Sequence, residues 1–219
     1  MAQDRPESVT LGSVLFPPAT QFDPVTGRCF GRSINRTREI LGQYNIKLNV
    51  VCVSAVRIYK MIADGEVDFT INVRSTRALQ PNVTFIEKPF SQISLNLYQY
   101  QDRIPMQSVA AIRGFDYAGK RQLLETQNIE FIDQPTSISA IQVFIRKRSD
   151  ALLAYQGPVE HYLQSNELQL DSNVSITPLQ KIDSHYAVSN HSPNASELIA
   201  ILNDFSNQHL YPNLVTRLE

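Results

Sequence analysis

The sequence predicts an α/β fold built as two βαβ lobes, and three observations carry that prediction. Strand-like and helix-like stretches alternate from residue 9 to about residue 90. The alternation restarts near residue 109, and the spacing throughout suits parallel strands joined by right-handed crossovers. Sheets built this way take ligands at the carboxyl ends of their strands, so functional residues are sought there.

Residues 9–16, VTLGSVLF, read as a strand stopped by Pro17-Pro18, neither of which can donate to a ladder. Phe16 is thereby expected at a strand's carboxyl end. After Gly31 the run SINRTREILGQY places Ile34, Thr37, Ile40 and Leu41 on one helical face, with Gly42 close to its end. Residues 46–53 form the second predicted strand. In residues 54–65, Val56, Tyr59, Met61, Ile62 and Ala63 recur at three- and four-residue spacing, with Ser54 placed to cap that helix and Gly65 to end it. Residues 68–73 follow as a short strand, then a polar turn bearing Arg74 and Arg77, then another strand. Ser54 and residues 72–77 thus join Phe16 at the predicted edge. Residues 93–100, ISLNLYQY, alternate without a breaker until Pro105 and read as a strand crossing into the second lobe.

The second half gives a strand at 109–112, a turn Arg113-Gly-Phe-Asp-Tyr117, a helix to about 126 and a strand at 129–132. A helix at 138–148, a strand at 150–155, a turn at 156–158 and a helix at 159–163 complete the βαβ pattern. Residues 174–177 and 186–189 read as returning strands. Residues 196–210 form an amphipathic helix ended by Tyr211-Pro212, whose tail is expected to rejoin the first lobe. The lobes are drawn as 1–97 with 186–219, and 98–185.

With 20 Lys and Arg against 21 Asp and Glu, the net charge of −1 offers no field for a polyanion, and no nucleic-acid partner is expected. No apolar run approaches the roughly 20 residues of a membrane-spanning helix, and the opening residues lack an apolar leader, which alone reads as cytosolic. Nucleophile-elbow, zinc-protease, phosphate-loop and dinucleotide motifs are absent. None of His161, His185, His191 and His209 stands in ligand spacing with a Cys or a carboxylate. No catalytic residue, cofactor or metal is therefore expected. Cys29 and Cys52 allow one disulfide in an oxidising compartment or two buried free thiols.

The succession of helix, Gly-Glu-Val-Asp, strand, Arg-bearing turn and Phe85-x-x-x-Pro-Phe90 resembles the family 3 extracellular solute-binding proteins of bacterial ABC importers. The likeness runs from residue 9 to about residue 210. It implies a periplasmic binding protein-like type II fold, with two crossing strands joining the lobes near residues 95–98 and 186–188 and a ligand cleft between them. It also implies capture of a small polar solute, amino-acid-like or an organic acid, by hinge closure. The partner would be the permease of an ABC transporter, and the protein a periplasmic monomer whose signal peptide has been removed. A sensory protein feeding a chemoreceptor or kinase, and a dehydratase acting on prephenate or arogenate, share that fold.

Carried onto this chain, the resemblance assigns Phe16 to stack on the ligand and Asn72, Ser75 and Arg77 to bind it, with Arg74 as the alternative guanidinium. Phe115, Tyr117 and Tyr155 become aromatic walls and Gln156 a polar point, while Arg57 also approaches the edge. The competing readings are a packed core ring for Phe16 and a surface pairing with Glu66, Asp68 or solvent for Arg77. Asp116 stands where such proteins present backbone N–H groups to a carboxylate, either capping the helix or repelling the ligand. The acid that anchors an amino group in amino-acid-binding members is replaced here by Tyr155-Gln156-Gly157. A desolvated ammonium would lose its partner there.

Overall fold

The computed structural model describes residues 5–208. In chain order the first half contains β1 (Ser8–Ser13), β2 (Gln21–Asp23), β3 (Arg28–Phe30), α1 (Arg32–Gly42), β4 (Lys47–Cys52), α2 (Ala55–Ala63), β5 (Phe69–Val73), β6 (Val83–Phe85) and β7 (Ser91–Tyr100). The second half contains β8 (Ser108–Ile112), α3 (Lys120–Glu125), β9 (Glu130–Gln134), α4 (Ser137–Ile145), β10 (Ala151–Tyr155), α5 (Gln156–Ser165), β11 (Val174–Ser189) and α6 (Ala195–Gln208).

Two compact units emerge. Unit 1 takes the described residues of Met1–Leu15, Ala19–Gln92 and Asp183–Glu219, and unit 2 takes Phe16–Pro18 and Ile93–Ile182. The divisions at 92/93 and 182/183 differ from the 97/98 and 185/186 drawn from sequence. Ser91 and Ser184 sit together in unit 1, hydroxyl to hydroxyl at 2.6 Å, and Phe90 N–H donates to the Ser184 carbonyl. β7 and β11 each have residues in both units, so the chain passes from one to the other along strands.

In unit 1, β4, β1 and β5 are parallel neighbours, and the carboxyl half of β11 pairs antiparallel with β5 and β6. One core cluster joins Ile34, Ile40 and Leu41 of α1 to Leu11, Phe69, Tyr186, Leu202 and Phe205. The Thr37 hydroxyl lies 2.9 Å from the Tyr186 hydroxyl, so this polar position on the buried face of α1 is satisfied inside that core. A second cluster gathers Ile58 and Ile62 of α2 with Val67, Leu79, Val83 and Ala187. Gly12 permits that packing, since a Cβ there would stand 3.0 Å from Ile58 Cδ1.

The buried stripe of α2 is therefore Ala55, Ile58 and Ile62, and Val56, expected inside, is 58% exposed. Ser54 occupies the N-cap position with extended backbone but makes no side-chain cap bond. Gly65 does end the helix turn, at φ 72°, and a Cβ there would lie 2.8 Å from the His191 carbonyl oxygen. The first strand stops at Ser13 rather than at Phe16.

The β2–β3 hairpin was not anticipated. Asp23 closes its turn by accepting from Val25 N–H at 2.9 Å and the Thr26 hydroxyl at 2.6 Å, with Gly27 at φ 66°. Cys29 on β3 is bridged to Cys52 at the end of β4 across a sequence separation of 23, which decides against two free thiols. A loop of that size restricts the unfolded chain enough to contribute about 3 kcal/mol. Replacing both cysteines by Ser is expected to lower the urea unfolding free energy by that amount, and an unchanged midpoint would show that the bridge adds no stability.

In unit 2, β9, β8 and β10 are parallel neighbours and β10 pairs antiparallel with β7. Tyr98, Tyr100, Ile141, Phe144, Leu152 and Val159 form the core. Asp150 ties the strand entries together, because its carboxylate accepts from Arg103 and from the Gln107 and Ser108 N–H groups. Burial pushes its pKa up, but those donors outweigh burial and hold the carboxyl below its usual range.

Two further differences from the expected elements are local. Gln156-Gly-Pro158 is not a turn but the first turn of α5, where proline's missing N–H costs nothing. Residues 174–177 and 186–189 belong to one 16-residue strand, β11, in which Pro178 is exposed. The end of the last helix at Tyr211-Pro212, the tail beyond it and His209 lie outside the described residues.

Candidate ligand-binding site

β4, β1 and β5 of unit 1 run out in parallel at Cys52, Ser13 and Val73, on the edge where such sheets take ligands. After β5 the chain makes a polar turn. Asn72 organises it, its Oδ1 accepting from Val73 N–H and from the Thr76 hydroxyl, each at 2.8 Å. Its acceptor is thus spent on the turn rather than left for a ligand. Arg74 is a strut: its guanidinium donates to the Ile86 and Glu87 carbonyls at 3.1 and 3.0 Å, and its own carbonyl accepts from Gln80 Nε2.

Two residues of the turn remain unspent. Ser75 Oγ is buried without a hydrogen-bond partner, and Arg77 is exposed with no partner among the described residues. A buried hydroxyl left unpaired is unusual, and a guanidinium fork matches a carboxylate by two parallel bonds. Arg57, in the first turn of α2, is likewise exposed and unpaired among the described residues.

His185 on β11 lies beside this turn's support. Its Nδ1 is 3.0 Å from the Ile86 carbonyl oxygen, which can only accept, so Nδ1 carries the proton. Burial pushes its pKa down and the Arg74 charge adds to that, against a weaker upward pull from the Ile86 carbonyl. A lowered folded value means that His185 contributes stability above about pH 6.5, lost as the pH falls through the folded value. Wild-type melting temperature should drop more steeply from pH 7 to pH 5 than that of His185→Gln. Parallel curves would remove His185 from the acid limb.

In unit 2 four rings gather. Phe16 lies 5.4 Å from Tyr155 between centroids, Phe115 lies 6.4 Å from Tyr155, and Tyr117 lies 5.6 Å from Tyr155. Phe16 and Phe115 are half-buried, so they retain face for a ligand. Tyr117 does not, being 1% exposed, and its hydroxyl oxygen accepts from Ile112 N–H at 2.7 Å. Burial raises its pKa strongly. It is a packed core ring rather than a wall, and Tyr155, at 4% exposure, is mostly buried too.

Arg121, which sequence reasoning missed, fixes the turn after β8. It donates to the Phe115 and Ile112 carbonyls at 2.8 and 3.1 Å and pairs with Asp133 at 2.6 Å. Asp116 Oδ1 accepts from Ala118 N–H at 3.1 Å, which caps the turn rather than the helix N-terminus, since α3 begins only at Lys120. Gln156 Nε2 donates to Glu160 Oε1 at 2.6 Å, so the predicted polar point is engaged with a carboxylate one turn along α5. Among the described residues no three His, Cys, Asp or Glu side chains gather to hold a metal ion, and no described helix is long and apolar enough to cross a membrane.

No protein-family model and no curated protein sequence matches the chain. Solved structures do. The arginine-bound form of a truncated arginine-binding protein from T. maritima superposes with a TM-score of 0.72 at 16% identity, over 92% of this chain and 96% of that one. A histidine kinase sensor domain with similarity to periplasmic binding proteins gives a TM-score of 0.75 at 16% identity, over 92% and 90%. The GluR0 ligand-binding core in complex with L-glutamate gives 0.70 at 17% identity, over 92% and 93%. These neighbours are binding proteins and a sensor domain rather than enzymes. The chain has the type II periplasmic-binding-protein fold.

Proposed function

We propose that this protein captures a small polar organic solute with an acidic end, amino-acid-like or an organic acid, and delivers it to the permease of an ABC transporter. The observation that carries this reading is the turn after β5, where, among the described residues, Arg77 has no hydrogen-bond or ion-pair partner and Ser75 keeps a buried, unpaired hydroxyl. In the proposal these two groups hold the acidic end of the solute. The chain acts as a monomer, without cofactor or catalysis, in an oxidising compartment such as the periplasm, where the Cys29–Cys52 bridge persists.

A thermal-shift screen of amino acids, organic acids, amines and short peptides tests the reading, because a ligand held only by the folded state raises its melting temperature. At least one acidic compound should raise it by several degrees. Silence across the whole panel would count against a receptor. The likeness to the histidine kinase sensor domain supports a second reading, in which the closed form is presented to a kinase or chemoreceptor instead of a permease. Pull-down of a permease against a sensor from the source membrane separates the two.

A further inference from the structure

Unit 2 contains a groove of about 580 Å³ walled by β7, α5 and the amino half of β11, all inside one compact unit. That volume falls in the range of small-molecule sites. Val159, Leu163, Leu170, Ile176 and Leu179 give it an apolar lining, and Ile176 is 51% exposed there. Asn96 stands in the same lining with only 6% exposure. Its Nδ2 donates to the Tyr98 hydroxyl oxygen at 3.2 Å, while its Oδ1 has no donor among the described residues. The Tyr98 hydroxyl, also in the lining, has no acceptor for its own proton among the described residues.

The charges are arranged in a matching way. Glu160 on α5 presents a carboxylate to the groove, with one oxygen held by Gln156 and the other without a donor among the described residues. Its charge reaches Tyr98, whose pKa is raised first by burial and further by Glu160. Lys181 on β11 lines the groove as well and has no ion-pair partner among the described residues, and it does not pair with Glu160. One anionic and one cationic group therefore flank an apolar lining, each unspent on the other. From this charge complementarity we infer that the groove is a second ligand site, separate from the turn at Arg77, for a zwitterion with an apolar body such as an apolar dipeptide.

In that arrangement Glu160 and Asn96 Oδ1 accept from the ammonium, Lys181 meets the carboxylate, and the apolar side chains lie on Leu163, Leu170 and Ile176. The neutral capped form of the same peptide leaves both charges without partners and is rejected. Isothermal titration with Leu-Leu, and with its N-acetylated amide, tests this on the whole protein. Leu-Leu should bind at one site in wild type, the capped peptide at least tenfold more weakly. Glu160→Gln and Lys181→Met, at exposed positions where folding is not at stake, should each weaken Leu-Leu at least fivefold. Arg77→Ala should leave it unchanged. Equal affinity for the capped peptide, insensitivity to both groove variants, or no binding of Leu-Leu at all would overturn the inference. Loss of Leu-Leu binding in Arg77→Ala would overturn it differently, by making the two sites one.

Discussion

Asp68→Ala is expected to destabilise the protein by about 3–4 kcal/mol, because it strips the shared acceptor from three donors in a low-dielectric environment. Asp68 is 9% exposed. Its Oδ2 accepts from Thr10 N–H at 2.7 Å, and its Oδ1 accepts from the Ser192 hydroxyl and from Asn194 Nδ2. The backbone adds to the tie, with Asp68 N–H donating to the Thr10 carbonyl and Ser189 N–H donating to the Asp68 carbonyl. One side chain thus fastens β1 to the start of β5 and to the connection entering α6. Asp68→Asn keeps the shape but turns an amide NH₂ toward one of the donors, so about half of the loss should remain. Urea denaturation measures both. A cost below 1 kcal/mol for Asp68→Ala would mean that water replaces the carboxylate and that the tie is not structural.

Arg77→Ala is expected to weaken binding of the acidic solute by about 100-fold or more. Removing a charged donor from a desolvated carboxylate costs 2–5 kcal/mol, and each 1.4 kcal/mol is a factor of ten. Arg77→Lys should recover part of that, because an ammonium keeps the charge but not the planar fork. Stability of the unliganded protein should change little in either variant, since Arg77 has no hydrogen bond or ion pair to lose among the described residues. Arg74→Ala should behave in the opposite way, lowering stability through the Ile86 and Glu87 carbonyls it now satisfies.

Where the pattern was regular, the sequence was readable. The face Ile34, Thr37, Ile40 and Leu41 of α1 is the buried one because a single apolar stripe at helical spacing admits one orientation. For α2 the sequence points to Val56, Tyr59, Met61, Ile62 and Ala63, but the buried stripe is Ala55, Ile58 and Ile62, with Ile58 close over Gly12, a contact with another element that no local pattern reveals. Pro158 reads as part of a turn, yet it stands in the first turn of a helix where no N–H is required, and the strand expected to stop at residue 177 runs on through exposed Pro178 for the same reason. The β2–β3 hairpin escaped because strands of three residues are too short to show alternation.

The same distinction runs through the candidate site. The resemblance points to Asn72, Ser75 and Arg77 with Arg74 as the alternative, since the turn after β5 can be located. It cannot tell Ser75 and Arg77 from Asn72 and Arg74, whose hydrogen bonds go to Thr76 and to carbonyls of another strand's approach. Tyr117 reads as a wall because the resemblance puts its turn at the ligand cleft, and its bond from Ile112 N–H is visible only in three dimensions. Arg121 carries no signal in one sequence, as its partners Phe115, Ile112 and Asp133 come from three different segments.

The central claim is that the guanidinium of Arg77 holds the acidic end of the solute. The direct measurement is a cycle of four affinities: wild type and Arg77→Ala, each titrated with the solute and with its primary amide. Replacing the carboxylate by the amide should cost wild type a factor of 30 or more, and Arg77→Ala a factor below three, since the partner is already gone. Equal losses in the two proteins would contradict the claim.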